Sequence, residues 1–494
     1  MRRLAVLPFL LLATLLPCFA PAAAASAAYV IITGDALVPE FQRLADWRTG
    51  HGLPAEVVTV AWIEAHYPGG VDAAERVRRF IQDAYASQGT LWVLLGGDAE
   101  VVPVRYAHMN ILDGSNILTD YYYMCLDGTW NADGDAFFGE VEDEVDLLPE
   151  VFAGRAPVST LEEARTFADK TLAYEEGAGG GEGYPASALF LAERLFPTFG
   201  GAQIAEAAIA ALPPSFTVER LYEEGGWPGS HALNRAAAIE AIERGFGLVY
   251  HIGHSTETTW SLVDDVLTTE DVDHLTNGPR TSVVFAFGGR TAAFDFDDAI
   301  AERWLVNPEG GSVAYVGSTA LSFIGATRDL QAEWFRLVFQ ESMRALGAAT
   351  ALARMPFVAS AQVEGSARWM LFAFELLGDP ALALRVREEP AAVSGPASSP
   401  GAVALLEAVP NPFRSRAQIA FDAPPAGDAA RVELAVFDAA GRLVRTLVDG
   451  PVAPGRHTIA WDGRTARSEA PAGVYFLRLA AGGSTRVEKL AIAR

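Results

Sequence analysis

The segment Gly247-Leu248-Val249-Tyr250-His251-Ile252-Gly253-His254-Ser255 is matched further on by Ser282-Val283-Val284-Phe285-Ala286-Phe287-Gly288-Gly289-Arg290, and this pair decides the reading of the chain. Each is a short apolar run that stops at glycine. Strands buried on both faces of a parallel sheet have this composition, whereas half-exposed strands alternate apolar with polar residues. In an open parallel sheet, ligands bind just beyond the C-terminal ends of the strands. His254 stands at that point on a rigid base, as a general base requires. His251, inside the strand, reads as a core histidine. A nucleophile serving His254 would stand at the end of the next strand, and there the chain offers Gly288 and Gly289. Glycines suit a tight turn whose backbone N–H groups face a substrate oxygen. Neither supplies a side chain that attacks.

Outward from this pair, strands and helices alternate over 29–387. Tyr29–Thr33, Ala55–Val60 and Leu91–Leu95 read as strands, with helical periodicity over Val38–Gly50 and Asp72–Ser87 between them. An acidic insertion, Asp113 to Glu150, interrupts the series, which resumes at Val151–Gly154 and reaches a glycine-rich joint at Gly177 to Gly183. Ala188–Ala192, Thr217–Tyr222, Gly247–Gly253, Ser282–Phe287 and Ser312–Gly317 then repeat the pattern. Helices fill 329–376, and Ala381–Val386 closes the series. The expected architecture is two doubly wound parallel-sheet α/β halves, 28–183 and 184–388. Residues 389–403, rich in Pro, Ser, Ala and Gly, read as a linker. From 404 to 494 short alternating strands separated by turn signals such as Asp462-Gly463 describe an all-β immunoglobulin-like sandwich.

Met1-Arg2-Arg3, the apolar run Leu4 to Leu16 and the small residues of Pro21 to Ala28 predict a cleavable secretory signal over 1–27. No later apolar stretch reaches the ~18 residues of a transmembrane span. A net charge of -25 argues against nucleic acid and anionic lipid as partners, since both need basic patches. With Cys18 inside the leader, Cys125 is the one thiol expected after cleavage, and its neighbours Tyr123, Met124 and Leu126 read as a buried structural setting. In the insertion, Asp127, Asn131, Asp133, Asp135 and Glu140 place hard oxygen ligands at near-alternate spacing around Gly128 and Gly134. That donor set suits a structural calcium ion. No organic cofactor is expected.

Taken together, these segments resemble the gingipain family of cysteine peptidases, relatives of the caspases in fold. Gly253-His254 with Glu257, Thr258 and Trp260 is similar to the family's catalytic-histidine stretch. Leu275-Thr276-Asn277 followed by Phe294 resembles the stretch holding the nucleophile, and laying the two together puts the family's cysteine on Gly289. Thr119-Asp120-Tyr121-Tyr122, Pro149-Glu150-Val151 with Gly154-Arg155, Gly310 to Ala314 and Gly378-Asp379-Pro380 agree, so the likeness covers about 29–387. The resemblance implies that His254 accepts a thiol proton, that backbone N–H groups hold the oxyanion, and that an acidic residue, Glu193, orients the histidine. It also implies structural calcium and a peptide or protein ligand.

The departures carry as much weight. Gly289 has no side chain, the family's glycine after the histidine is Ser255, and Arg290 adds a cation beside the vacant position. One reading is a peptide-binding pseudopeptidase. Another is an active endopeptidase, through a misread Gly289 or a substitute nucleophile such as Ser255 or Thr291. A third is a surface scaffold. The terminal sandwich resembles flagellar-hook-cap-like immunoglobulin repeats and type IX secretion sorting domains, through Val409-Pro410-Asn411-Pro412-Phe413, Trp461-Asp462-Gly463 and Gly473-Val474-Tyr475 among others. That likeness implies export or cell-surface attachment machinery as a partner, and a secreted or cell-surface location.

Overall fold

A computed structural model describes residues 27–386 except 112–113, 178–182 and 198. Within 404–492 it describes all but 410–412, 414–415, 424–429, 439–442, 466–468, 471–472 and 482–483. The expected leader up to residue 26, the linker and the centre of the glycine-rich joint lie outside the described residues.

The first half contributes β1 (Tyr29–Thr33), β2 (Ala55–Thr59), β3 (Trp92–Gly96) and β4 (Phe152–Ala156). The second contributes β5 (Ser187–Ala192), β6 (Thr217–Tyr222), β7 (Ser230–Ala232) and β8 (Leu248–Ile252). It continues with β9 (Ser282–Phe287), β10 (Ser312–Ser318) and β11 (Phe374–Leu377). The two halves share one 11-stranded sheet, in the order β7-β6-β5-β8-β9-β10-β11-β4-β3-β1-β2. All neighbours are parallel except β10 and β11, which are antiparallel. The strands of the first half therefore run opposite to β5–β10.

Alternate residues of one strand feed opposite cores, as the pleat requires. Val30 and Ile32 enter one apolar cluster while Tyr29 and Ile31 enter another. Tyr250 and Ile252 likewise part from Val249. Burial of each such side chain contributes about 1.5–3 kcal/mol. Helix ends follow local chemistry. Asp72 caps the helix Ala73–Gln88 by accepting from the Glu75 N–H at 2.9 Å, and Gly89, at φ 75°, ends it.

The closing strand corrects the sequence reading. β11 begins at Phe374, inside the span read as helical, whereas 381–386 makes only an isolated bridge, Ala345 to Ala383. Residues 369–377 are buried without a break, so periodicity cannot mark where the helix Ser366–Ala373 gives way to a strand.

Buried charge ties the halves together. Arg155 on β4 grips Asp120 with two bonds of 2.7 Å, and donates to the Gly97 and Val102 carbonyls. Glu375 on β11 accepts from the Thr119 hydroxyl and the Asp120 N–H, each at 3.0 Å.

The terminal domain places Ala404–Val409, Ala417–Ala423 and Gly455–Trp461 in a three-stranded sheet. Ala430–Asp438, Leu443–Val452, Gly473–Ala481 and Ser484–Ile492 form a four-stranded one. Trp461 packs between Phe413 and Tyr475, with ring centroids 5.4 and 5.2 Å away.

Asp120→Ala leaves Arg155 buried without its counter-ion, so a loss of about 3–5 kcal/mol is expected in denaturant unfolding. Glu302 supplies a pH-dependent counterpart. It is buried with Oε1 unpartnered. Burial, then Asp98, Asp298 and Asp297, pushes its carboxyl up to about 10. The folded chain keeps this proton above about pH 4.3, where the unfolded chain releases it. Stability from this group is therefore full in acid and falls as pH rises towards the folded value. Glu302→Gln should raise Tm by a margin that widens from about pH 5 to about pH 9. A constant margin would contradict this assignment.

Candidate active site

Three neighbouring strands build the site. β8 pairs with β9 from Leu248–Val283 to Ile252–Phe287, and with β5 on its other side. The residues just past all three strands, Glu193, His254 and Gly289, therefore gather at one edge of the sheet. Glu193 Oε2 accepts from the backbone N–H of His254 at 2.7 Å and lies 3.2 Å from its Nδ1. The Ser261 hydroxyl donates to Glu193 Oε1 at 2.6 Å. A carboxylate on Nδ1 leaves Nε2 as the working nitrogen, and the His254 side chain is 61% exposed, so a ligand can reach it. Gly253 leaves room for this arrangement. A Cβ there would stand 2.8 Å from His251 Nε2 and 2.9 Å from Glu193 Oε2.

His251 belongs to the core. It stacks on Trp260 at 4.5 Å, its Nε2 lies 3.2 Å from the Ser261 carbonyl, and burial pushes its pKa down to about 4.

The turn after β9 is held on both sides. Ser255 donates its hydroxyl to the Gly289 carbonyl at 2.9 Å. Arg290, at φ 65°, donates its N–H to the Ala320 carbonyl at 2.9 Å and pairs with Glu257 across the site. A Cβ on Gly288 would come within 2.2 Å of Ser255 Oγ. One on Gly289 would meet Leu321 Cα at 3.2 Å, Ser322 N at 3.3 Å and the Ala320 carbonyl at 3.4 Å. A side chain at 288 would thus displace Ser255, whereas one at 289 needs the 320–322 backbone to give by a few tenths of an ångström. Beside it lies a cleft of about 390 Å³, walled by Tyr106, Leu118, Arg290, Asp295, Leu321 and Trp369.

Chemically, the edge offers an oriented base and backbone donors. The other nucleophile candidates are spent. Cys125 is fully buried, and burial pushes its thiol pKa well up. Thr291 is buried, and the Ser255 proton goes to a carbonyl.

The structure divides the five expected calcium ligands. Carboxylate oxygens of Asp133, Asp135 and Glu140 lie within 4.8 Å of one another, while Asp127 groups instead with Asp146 and Glu150. Asn131 builds the loop, accepting from the Gly134 N–H at 2.7 Å and donating to the Asp135 carbonyl at 2.9 Å. Glu140 is buried, and its Oε2 has no partner. Burial, followed by Asp135, Asp143 and Asp133, pushes its carboxyl upward. An orphaned buried carboxylate oxygen among like charges fits a hard divalent cation.

Sequence reading missed Ser261, the pairing of Arg290 with Glu257, and the grouping of Asp146 and Glu150 with Asp127. No spacing marks any of them.

Residues 22–385 match peptidase family C25, and residues 409–484 match the FlgD Ig-like domain. The chain belongs to peptidase family C25, the gingipain family. Among its relatives, Lys-gingipain of Porphyromonas gingivalis is 24% identical over 294 residues, which are 58% of this chain and 15% of that protein. Gingipain R2 of the same organism is 22% identical over 375 residues, covering 72% of this chain and 46% of that protein. The chain thus spans less than half the length of these relatives. The RgpB pro- and mature domains of P. gingivalis share the fold with TM-score 0.58 at 20% identity, over 94% of this chain and 99% of that one. The Arg-specific cysteine proteinase gingipain R matches with TM-score 0.57 at 21% identity, over 96% and 100%. Among the described residues, no helix is long and apolar enough to cross a membrane.

Proposed function

We propose that this chain is an exported member of the family that holds peptide or protein segments without cleaving them. Gly289 carries the reading. It occupies the turn beside His254 where the resemblance expects the nucleophilic thiol, while Glu193, His254 and the backbone donors of a hydrolytic site remain. Removing the nucleophile from such an assembly costs on the order of 10⁶-fold in kcat in a serine peptidase. Export and cell-surface attachment are part of the same proposal, supported by the leader-like sequence of residues 1–27 and by the Ig-like module at the other end of the chain.

Gly289→Cys tests the reading, because the turn admits a Cβ with shifts of a few tenths of an ångström. On a mixed fluorogenic peptide library the unaltered protein should stay at background, and the variant should gain at least about 10³-fold. Cleavage by the unaltered protein at the variant's rate would end the pseudopeptidase reading.

We also propose that Asp133, Asp135 and Glu140 hold a structural calcium ion. The crowding of three carboxylates around the unpartnered Glu140 Oε2 supports it. Bound cation would neutralise the loop and raise stability by mass action. Calcium should raise Tm and a chelator lower it, with Glu140→Gln losing most of that response. A Tm indifferent to both would remove the ion from the account.

A further inference from the structure

We propose that the turn at Gly289 recognises the free C-terminal carboxylate of a peptide. The inference rests on the peptide-binding reading above and names its ligand. Around Gly289 the chain presents hydrogen-bond donors in excess. The backbone N–H groups of Ser255, Gly289 and Ser322 have no acceptor among the described residues. The Ser322 hydroxyl oxygen is occluded and unpartnered. The Ser322 nitrogen lies 3.3 Å from where a Cβ on Gly289 would stand. The 12-residue helix Ile324–Phe335 starts two residues later with no side-chain cap, so its positive end adds to the same field.

Several acceptors at this edge already receive a donor. Glu193 receives His254 and Ser261, Glu257 receives Arg290, and Asp295 receives the Tyr106 hydroxyl at 2.9 Å. The Gly289 carbonyl takes Ser255, and the Ala320 carbonyl takes the Arg290 N–H. The complement of such a surface is an acceptor with several lone pairs. In a working peptidase these donors meet an oxyanion only transiently, once a nucleophile has attacked. Here no attack creates one, so the anion must arrive with the ligand. A mid-chain peptide carbonyl brings one neutral oxygen. A terminal carboxylate brings two charged ones, and charge-assisted hydrogen bonds are roughly twice as strong as neutral ones. The absent side chain at 289 leaves that position to the ligand, and His254, with its exposed imidazole, stands past the end of the neighbouring strand.

The test uses the full chain and paired fluorescein-labelled peptide sets of identical sequence, ending either in a free carboxylate or in a carboxamide. Fluorescence polarisation should show the carboxylate set binding at least about tenfold more tightly. Gly289→Ala, whose Cβ would press on the Ser322 amide, should erase most of that preference, with circular dichroism reporting whether the variant folds. If it does not fold, the paired peptides on the unaltered protein decide alone. Equal binding of the two sets overturns the carboxylate inference and leaves peptide binding standing. Binding of neither set overturns both.

Discussion

A four-residue antiparallel strand, Phe374–Leu377, holds the α/β region together. It pairs with four residues of β10 on one side and meets β4 through a single ladder pair, Leu377 with Arg155, on the other. One ladder pair is a weak seam. Buried charge reinforces it, because Glu375 on the seam strand binds Thr119 and the Asp120 N–H, and Asp120 in turn binds Arg155. Such a network is expensive to leave incomplete, since removing one partner strands the other in low dielectric. It also brings the first half to the site. Thr319, just past β10, donates to the Leu118 carbonyl at 2.7 Å, which sets the hairpin Arg105–Met109/Ser115–Thr119 against the cleft beside Gly289.

On the proposed reading, the change at residue 289 is confined to an ordered turn. Ser255 stands where the resemblance implies glycine, and its hydroxyl both secures the Gly289 carbonyl and packs against Gly288. These three residues form one mutually adapted set. Across the site, Arg290 in a left-handed conformation pairs with Glu257, so the histidine loop and the turn remain tied to each other. Under the same proposal, His254 keeps its contact with Glu193 in an ordered setting. Such preservation suits a surface that still binds.

Much of this was legible in the chain itself. Largely apolar runs ending in glycine marked β8 and β9, because a strand covered on both faces carries few polar residues, His251 being the one inside β8. The boundary at Phe374 was not legible, since a helix and a strand that are both buried all round share one composition. The acidic insertion divided the same way. Near-alternate spacing put Asp127, Asn131, Asp133, Asp135 and Glu140 into one set, whereas the fold gathers Asp133, Asp135 and Glu140, groups Asp127 with Asp146 and Glu150 from well along the chain, and commits the Asn131 amide to the loop backbone.

What the amino-acid order determined alone is covalent: which residues end β8 and β9, and that Gly289 has only a hydrogen for a side chain. What the tertiary structure decided is proximity. Glu193 reaches His254 across 61 residues because β5 and β8 are sheet neighbours, and strand order follows from how whole faces bury, which no local spacing records. The donors left without acceptors around Gly289 belong to the same category, for they exist only where separate loops converge.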